Sequence, residues 1–277
     1  MGTLAAVVAM THNPRIFWNY QGADEESRRA VEATFGELRR RLAGARPDRL
    51  IVVSNDHFDN FFLDTMPQFC VGLAARAQGP FWYETEVMNI PRYHASIDVD
   101  LAEHLLDLGV RRRFDFSQSH EFGLDHAFCV PLSVVRPEED LPIVPLFTNV
   151  FAYPLPSERR FFELGQLIKQ LVRERPKEER VAVVATFNLS VDVGGPKMGK
   201  RDADLDGLAL ELIRAGRVEE ILTRLPVERL AEAGNSTTEF LNYDAVLGVV
   251  EDRPPDFFEY RLVPAWGGVP AVAWSLA

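Results

Sequence analysis

Two histidines stand directly after short apolar segments, a position where folded chains often have catalytic or ligand-binding residues. His12 follows Leu4–Met10, and His57 follows Leu50–Ser54. If these segments are strands of one open α/β sheet, both imidazoles lie outside the carboxyl ends of strands, where such sheets bind ligands. With a carboxylate they would form a divalent-metal site, whereas the alternative is a pair of solvated loop histidines. The neighbours that could orient His57 through hydrogen bonds are Asn55 and Asp56.

The carboxylate that would complete this site stands late in the chain, at Glu239. Ser236 precedes it by three residues, and this spacing fits a helix capping box in which Glu239 satisfies backbone amides. The residues alone favour this structural role. The two roles are compatible, because a glutamate at a helix N-terminus can also point out of the helix into a crevice.

The other histidines differ in what their neighbours indicate. His126 lies between Asp125 and an apolar turn, which makes it a candidate for a buried acid or base. His94 lies in Glu84–Ile97, a stretch that we predict to be irregular, and could reach a pocket. His104 stands amid leucines on a predicted helix, a setting typical of a structural or exposed histidine.

The elements that would position these residues alternate along the chain. Apolar runs rich in β-branched residues predict central strands at Leu4–Met10, Leu50–Ser54, Ile143–Phe147 and Val181–Thr186. Apolar stripes at helical spacing predict helices at Ala23–Gly44, Asp98–Gly109, Ser157–Glu174 and Asp202–Gly216. This order predicts an α/β fold whose central mixed or largely parallel sheet is flanked by helices. Since no Pro/Gly/Ser linker divides the chain, we expect one domain over residues 1–277.

Composition excludes several classes of function. The 277 residues include 30 basic and 41 acidic side chains, a net charge of −11, which disfavours general nucleic-acid binding and binding to anionic membranes. The two cysteines form no CxxC pair and are too few for a disulfide framework, so a reducing cytoplasm is expected. The apolar run near the N-terminus lacks the basic start of a signal peptide and is far shorter than a membrane span.

Four motifs in a fixed order carry a family resemblance. They are THNP at residues 11–14, SNDH at 54–57, GLDHAFCVPL at 123–132 and AGNSTTEFLNY at 233–243. The series resembles that of the class III extradiol ring-cleavage dioxygenases, the superfamily of the LigB-type catalytic subunit of protocatechuate 4,5-dioxygenase. Each motif alone is weak, but the four occur in the family's order over nearly the whole chain.

The resemblance implies a role for each matching residue. His12 and His57 match the two histidine ligands of the family's non-haem Fe(II), and Glu239 matches its carboxylate ligand, a set that leaves metal positions open for substrate and O2. His126 matches the active-site histidine that donates to bound oxygen or substrate. The implied activity is opening of a catechol-type or 2-aminophenol-type ring with O2. Relatives are commonly homo-oligomers, some with a small second subunit.

One departure from the family pattern bears on the chemistry. Members usually carry a second catalytic histidine in a Gly-Gly-Leu/Met-Ser-His pattern, and here Val191 takes its place after Ser190. No histidine follows His126, so none can be recovered by a local shift of register. The candidates to replace part of its function are Asp192, Ser190 and His94. The alternatives are therefore a metal enzyme of altered chemistry (a non-cleaving oxygenase or a hydrolase) and a metal-retaining partner subunit.

Several residues near the motifs are candidates for contact with substrate. We expect them from Asp125, Ser190, Val191 and His94. The basic residues that could hold a substrate carboxylate, or else be solvated, are Arg15, Arg92, Lys197, Lys200 and Arg201. The aromatic residues that could wall an apolar ring pocket are Phe17, Trp18, Phe58, Phe61 and Phe187.

Overall fold

Four parallel strands form the centre of an eight-stranded sheet in the computed structural model, which describes residues 1–276. The strands are β1 (Thr3–Met10), β2 (Arg49–Asn55), β3 (Phe69–Gly72), β4 (Arg76–Gly79), β5 (Tyr93–Ser96), β6 (Ser117–Ser119), β7 (Ile143–Thr148), β8 (Arg180–Thr186), β9 (Phe257–Val263) and β10 (Gly267–Ser275). The order across the large sheet is β6-β3-β7-β2-β8-β1-β10-β9, with β7, β2, β8 and β1 parallel. Strands β4 and β5 pair separately as an antiparallel ribbon.

Ten helices accompany the sheet within the described residues. They are α1 (Arg15–Trp18), α2 (Glu25–Ala45), α3 (Trp82–Glu86), α4 (Val99–Arg111), α5 (His126–Val135), α6 (Glu158–Glu174), α7 (Ala203–Ala215), α8 (Val218–Arg224), α9 (Val227–Ala233) and α10 (Leu241–Val250). None of those within residues 1–276 combines the length and the apolar character needed to cross a bilayer. The predicted single α/β domain with a mixed, largely parallel sheet is confirmed. The prediction that 84–97 is irregular is wrong, because this stretch contains the end of α3 and all of β5.

Alternation along the central strands produces two buried cores, one on each face of the sheet. In β1, Val7 and Ala9 pack into one core, and Ala6 and Val8 pack into the other. Helices α4, α6, α7 and α10 contribute to the first core, and α2 and α5 contribute to the second. Because both faces are covered, the central strands are apolar throughout, as the sequence pattern indicates.

Asp244 on α10 is a buried carboxyl group whose two oxygens have no hydrogen-bond partner among residues 1–276. Burial, and then the charge of Glu158, raise the pKa of Asp244 well above its usual value. A raised pKa means that the folded chain keeps a proton which the unfolded chain releases. The contribution of Asp244 to stability is therefore lost progressively as pH rises above the usual aspartate range.

We predict that Asp244→Asn stabilises the fold at neutral pH, because the amide cannot ionise in either state. The gain should be small near pH 4 and should grow by about 1.4 kcal/mol per pH unit until the buried acid ionises. Urea unfolding between pH 4 and pH 8 measures this trend. The matched control is Asp206→Asn, which should destabilise the fold because Asp206 is buried but accepts from Arg201 and from the Ser190 amide. A pH-independent difference for Asp244→Asn would contradict the prediction.

Candidate metal centre

Three neighbouring parallel strands deliver polar residues to one edge of the sheet. Strand β8 lies between β1 and β2, with Met10 opposite Thr186 and Val53 opposite Ala185. The carboxyl ends of the three strands therefore coincide, and the chain leaves them toward His12, His57 and Asn188. The topology brings together two histidines that are 45 positions apart in the sequence.

Glu239 reaches the same edge from a short 3-10 helix, Thr237–Phe240, that continues into α10. Helix α10 packs closely on α6, since a Cβ atom at Gly165 would lie 1.9 Å from the Ala245 carbonyl oxygen. The Ser236 side chain makes no capping hydrogen bond, so the expected capping box does not form. The Glu239 carboxylate is 2% exposed and faces the histidines instead.

The ligand atoms have the spacing of a shared metal ion. Glu239 Oε1 lies 3.2 Å from His12 Nε2 and 3.2 Å from His57 Nε2. Two donor atoms that each bind a metal at about 2.1 Å, at right angles, lie about 3.0 Å apart. Ring nitrogens of His12, His57 and His126 also lie within 4.8 Å of one another, so His126 is close enough to be an additional ligand. The donor set fits a divalent metal.

The electrostatics of the cluster also favour a cation. Burial alone would raise the pKa of Glu239, but the imidazoles of His12 and His57 outweigh burial and hold this pKa well below its usual range. Burial would lower the pKa of His57, but its bonds to Asp125 and Glu239 raise this pKa to about 10. The buried carboxylates thus stabilise positive charge at this point, which is what a metal ion would supply.

Asp125 fixes the orientation of His57. One of its oxygens accepts from the His57 backbone amide at 3.0 Å and lies 2.8 Å from His57 Nδ1. With Nδ1–H donated to a carboxylate, His57 presents the lone pair of Nε2 to a metal, the usual arrangement of metal-bound histidines. The Asp125 side chain is fully buried and does not line the cavity described below. The structure therefore places Asp125 against His57 and not among the residues that line the cavity.

Of the two residues expected to orient His57, Asn55 contacts its ring and Asp56 does not. Asp56 accepts from the backbone amides of Asp59, Asn60 and Phe61, so it stabilises the following loop. The Asn55 side-chain nitrogen lies 3.3 Å from His57 Nε2 and its oxygen accepts from Asn242. His12 differs from His57, because its Nδ1 is buried without a hydrogen-bond partner among residues 1–276.

Asn188 is a polar residue of this site that the sequence reasoning missed. Its amide nitrogen donates to Glu239 Oε2 at 2.5 Å, and its oxygen accepts from the Thr11 hydroxyl at 2.7 Å. Because Oε2 is held by Asn188, Oε1 is the carboxylate oxygen directed at the histidines. The available signal was position, since Asn188 follows a central strand just as His12 and His57 do.

His126 stands at the start of α5 and stacks on His57, with ring centroids 4.0 Å apart. Its Nδ1 lies 2.5 Å from Glu84 Oε1, and the same oxygen accepts from the His126 backbone amide at 2.9 Å. With Nδ1 engaged, Nε2 is the ring nitrogen left for a cavity ligand. Burial, and then the neighbouring His57, lower the pKa of His126 despite the bond to Glu84.

Glu84 is a second residue that the sequence reasoning missed. It is fully buried, although it lies in a stretch expected to be irregular. Its second oxygen accepts from the Phe81 backbone amide at 3.0 Å, which fixes the carboxylate at the start of α3. The signal was a carboxylate directly after three aromatic residues, Phe81-Trp82-Tyr83-Glu84, but nothing local indicates its partner 42 positions away.

The metal-centre residues lie at the base of a cavity of about 510 Å³. Of the residues expected to contact substrate, Ser190 and Val191 line this cavity. The Ser190 hydroxyl is engaged by the Asp202 backbone, accepting from its amide at 2.7 Å. His94 does not line the cavity: the alternation of β5 turns Tyr93 inward and His94 outward, where its side chain is 62% exposed beside Glu139.

Some of the other expected pocket residues also line the cavity, and others do not. Arg15, Arg201 and Asp192 line the cavity, as does Trp18, and Trp266 is an aromatic lining residue that the sequence reasoning missed. The predicted basic and aromatic candidates that do not line it are Arg92, Lys197, Lys200, Phe17, Phe58, Phe61 and Phe187. Phe187 is instead buried against Tyr243, beneath the segment that carries Glu239.

This site and fold define a class of protein, and comparison with known families identifies it. Residues 6–270 match the family described as the catalytic LigB subunit of aromatic ring-opening dioxygenase, and the chain belongs to this family. The resemblance read from the four motifs is thereby confirmed.

Two relatives carry names of the same kind. A 2,3-dihydroxyphenylpropionate/2,3-dihydroxicinnamic acid 1,2-dioxygenase of Photorhabdus laumondii is 30% identical over 195 residues, covering 70% of this chain and 58% of the relative. A corresponding enzyme of Pseudomonas putida is 31% identical over 209 residues, covering 75% and 62%. The matched part of the chain thus spans less than two thirds of either relative.

A solved structure shares the fold. The crystal structure of uncharacterized protein JW3007 from Escherichia coli K12 aligns with a TM-score of 0.58 over 97% of this chain and 99% of that chain. The sequence identity is 15%, so this likeness concerns the architecture of the sheet and helices alone.

Proposed function

We propose that this chain is a non-haem Fe(II)-dependent extradiol dioxygenase that opens the ring of a catechol-type or 2-aminophenol-type aromatic with O2. The observation that carries the proposal is the convergence of His12, His57 and Glu239, with both histidine Nε2 atoms 3.2 Å from one carboxylate oxygen. Membership of the ring-opening family and the names of the relatives support it.

Some residues of the chain are proposed to bind the metal, and others to hold those ligands in position. His12, His57 and Glu239 are the proposed ligands, while Asp125 and Asn188 hold two of them in position. When bound, Fe(II) supplies one centre at which the two adjacent substrate heteroatoms and O2 come together. The fixed carboxylate and imidazoles hold that centre at the base of the cavity, which supplies the orientation that a bimolecular reaction lacks.

His126 is the proposed acid and base. With Nδ1–H donated to Glu84, its Nε2 carries a lone pair that can accept a proton from a substrate hydroxyl. The buried Glu84 carboxylate then stabilises the imidazolium, and the same Nε2 can return the proton later in the reaction. His126 stacks on the ligand His57, so this proton lies beside the metal centre.

One observation keeps a second candidate open. Val191 lines the cavity at the position where the family pattern has its second histidine, and its side chain cannot transfer a proton. This favours a metal enzyme of altered chemistry, such as a non-cleaving oxygenase or hydrolase, or a metal-retaining partner subunit. Anaerobic loading with Fe(II), followed by O2-uptake measurements with catechol, protocatechuate and 2-aminophenol, separates these cases. A dioxygenase consumes O2 and gives a yellow ring-opened product, whereas iron binding without O2 uptake contradicts the proposal.

Val191 leads to a prediction about substrate choice. Without the second histidine, proton transfers depend on His126, the substrate or water, so protocatechuate should be a poor substrate for the unmodified chain. Val191→His should raise kcat for protocatechuate by roughly tenfold or more and change it less for 2-aminophenol. If the unmodified chain already turns over simple catechols at about 10 per second and the histidine adds nothing, the base was never missing.

We also propose a cytoplasmic homo-oligomer, with or without a small second subunit. Both cysteines are buried free thiols, which suits a reducing compartment. Light scattering on the purified chain measures the oligomeric mass.

A further inference from the structure

An apolar rim surrounds the mouth of the cavity that holds the metal centre. Trp18, Val193, Met198 and Leu262 all line this cavity, yet each is about half exposed, between 49% and 53%. They come from three separate segments: α1, the loop between β8 and α7, and β9. Exposed apolar side chains that gather around one opening indicate a binding surface.

Hydrogen bonds fix the conformation of the loop that supplies Val193 and Met198. Two backbone hydrogen bonds between Asp192 and the Gly199–Lys200 end close it, at 2.7 and 3.1 Å. The Val193 backbone also exchanges two hydrogen bonds with the Asn235 side chain, at 2.8 and 2.9 Å. Asn235 lies just before the helix that carries Glu239. The residue that holds the rim loop is therefore four positions from the proposed metal ligand in the sequence.

The cavity is larger than a single catechol ring requires. A cavity of about 150 Å³ is enough for benzene, and this one is about 510 Å³. With the ring oxygens at the metal centre, the remaining space lies toward the rim. The rim therefore has room for a substituent on the ring.

The charged side chains of the cavity wall form no dedicated site for an acidic substituent among residues 1–276. Arg201 is engaged by Asp206 at 2.5 Å and by the Tyr260 hydroxyl at 3.1 Å. The other charged lining residues outside the metal centre are Arg15 and Asp192, one of each sign. Among residues 1–276 the lining therefore presents two arginines of which Arg201 is already ion-paired, whereas a dedicated carboxylate site usually presents a matched set of donors.

The geometry points to a second subsite, formed by Trp18, Val193, Met198 and Leu262, that takes an uncharged apolar substituent such as an aryl or alkyl group. This inference rests on the proposed function and names the substrate class. It departs from the carboxylate-bearing compounds for which the relatives are named.

A matched pair of substrates tests the subsite in the iron-loaded chain. 3-Propylcatechol and 2,3-dihydroxyphenylpropionate carry side chains of equal carbon number and differ in the carboxylate. We expect kcat/KM to be about tenfold higher for 3-propylcatechol, and higher still for 3-phenylcatechol. A preference for 2,3-dihydroxyphenylpropionate would overturn the apolar subsite while leaving the ring-opening proposal intact.

Variants of the rim give the second arm. Met198→Ser combined with Leu262→Ser should lower the ratio of kcat/KM for 3-phenylcatechol over catechol by about tenfold, because the substituent loses apolar contacts. The control is Val110→Ser on α4, an exposed apolar residue that does not line the cavity, which should keep the ratio. A retained ratio in the double variant, accompanied by a changed oligomeric mass, would show instead that the rim is a subunit contact.

Binding measured without turnover separates failure of the subsite from failure of the proposed function. Trp18 and Trp266 line the cavity, so anaerobic quenching of tryptophan fluorescence reports occupancy. 3-Phenylcatechol should bind more tightly than catechol, and the double rim variant should lose this advantage. Absence of O2 uptake with every catechol, with this binding preference intact, would overturn the dioxygenase and keep the subsite. Equal binding of the two catechols would overturn the subsite.

Discussion

Glu239→Ala should lose most of its iron and all ring-opening activity, the largest effect of any single change that we expect. Glu239 supplies the only carboxylate oxygen that lies 3.2 Å from both His12 Nε2 and His57 Nε2 among residues 1–276. Without it, two imidazoles remain to hold the ion, and the buried negative charge that favours a cation is reduced. Iron content after desalting and O2 uptake with catechol measure the two losses.

Two further variants test whether the loss of iron in Glu239→Ala comes from the loss of a ligand. Asn188→Ala removes the hydrogen bond to Glu239 Oε2 but leaves every proposed ligand, so iron affinity should fall by about 10- to 100-fold without being abolished. Ser133→Ala is the control, because the Ser133 hydroxyl is buried without a hydrogen-bond partner among residues 1–276 and does not line the cavity, and it should keep both iron and activity. Full iron content in Glu239→Ala would show that Glu239 is not a metal ligand.

The sequence predicts the fold and part of the site for one physical reason. Buried parallel strands are recognisable as short apolar runs, and parallel strands in one sheet end at the same edge. The positions of His12 and His57 after two such runs therefore predict their proximity without any knowledge of long-range contacts. The structure places their Nε2 atoms around one oxygen of Glu239, which only the family resemblance selected over its local capping pattern.

The supporting residues could not be predicted in the same way. Glu84 meets His126 across 42 positions, and Asn188 meets Glu239 across 51. Neither pair has a local pattern, because each contact depends on how α3 and the loop after β8 pack against distant segments. His94 shows the converse error: its neighbours suggested a loop near a pocket, whereas the pleat of β5 directs its side chain to solvent.

His126→Gln should keep its iron and lower kcat by about a hundredfold or more. The reason is that Nε2 of His126 is the proposed site of proton transfer, and an amide cannot take that proton. The contrary reading has a geometric basis, since ring nitrogens of His12, His57 and His126 lie within 4.8 Å of one another. If His126 is a metal ligand, His126→Gln will lose iron together with activity, so iron content decides between the two roles.

Variants of Glu84 test whether His126 transfers a proton or has only a structural role. Glu84→Gln retains the size of the side chain but removes the charge that stabilises a protonated His126, whose Nδ1 lies 2.5 Å from the carboxylate. We expect kcat to fall by about tenfold or more with iron content unchanged, and the acidic limb of the kcat–pH profile to shift to lower pH, because the imidazolium loses its carboxylate. Thr85→Ala is the control on the same helix, because the Thr85 hydroxyl is buried without a partner among residues 1–276. Since the Glu84 carboxylate also fixes the His126 backbone amide, a loss of kcat without any shift of the pH profile would reduce Glu84 to packing, and the base would then lie elsewhere.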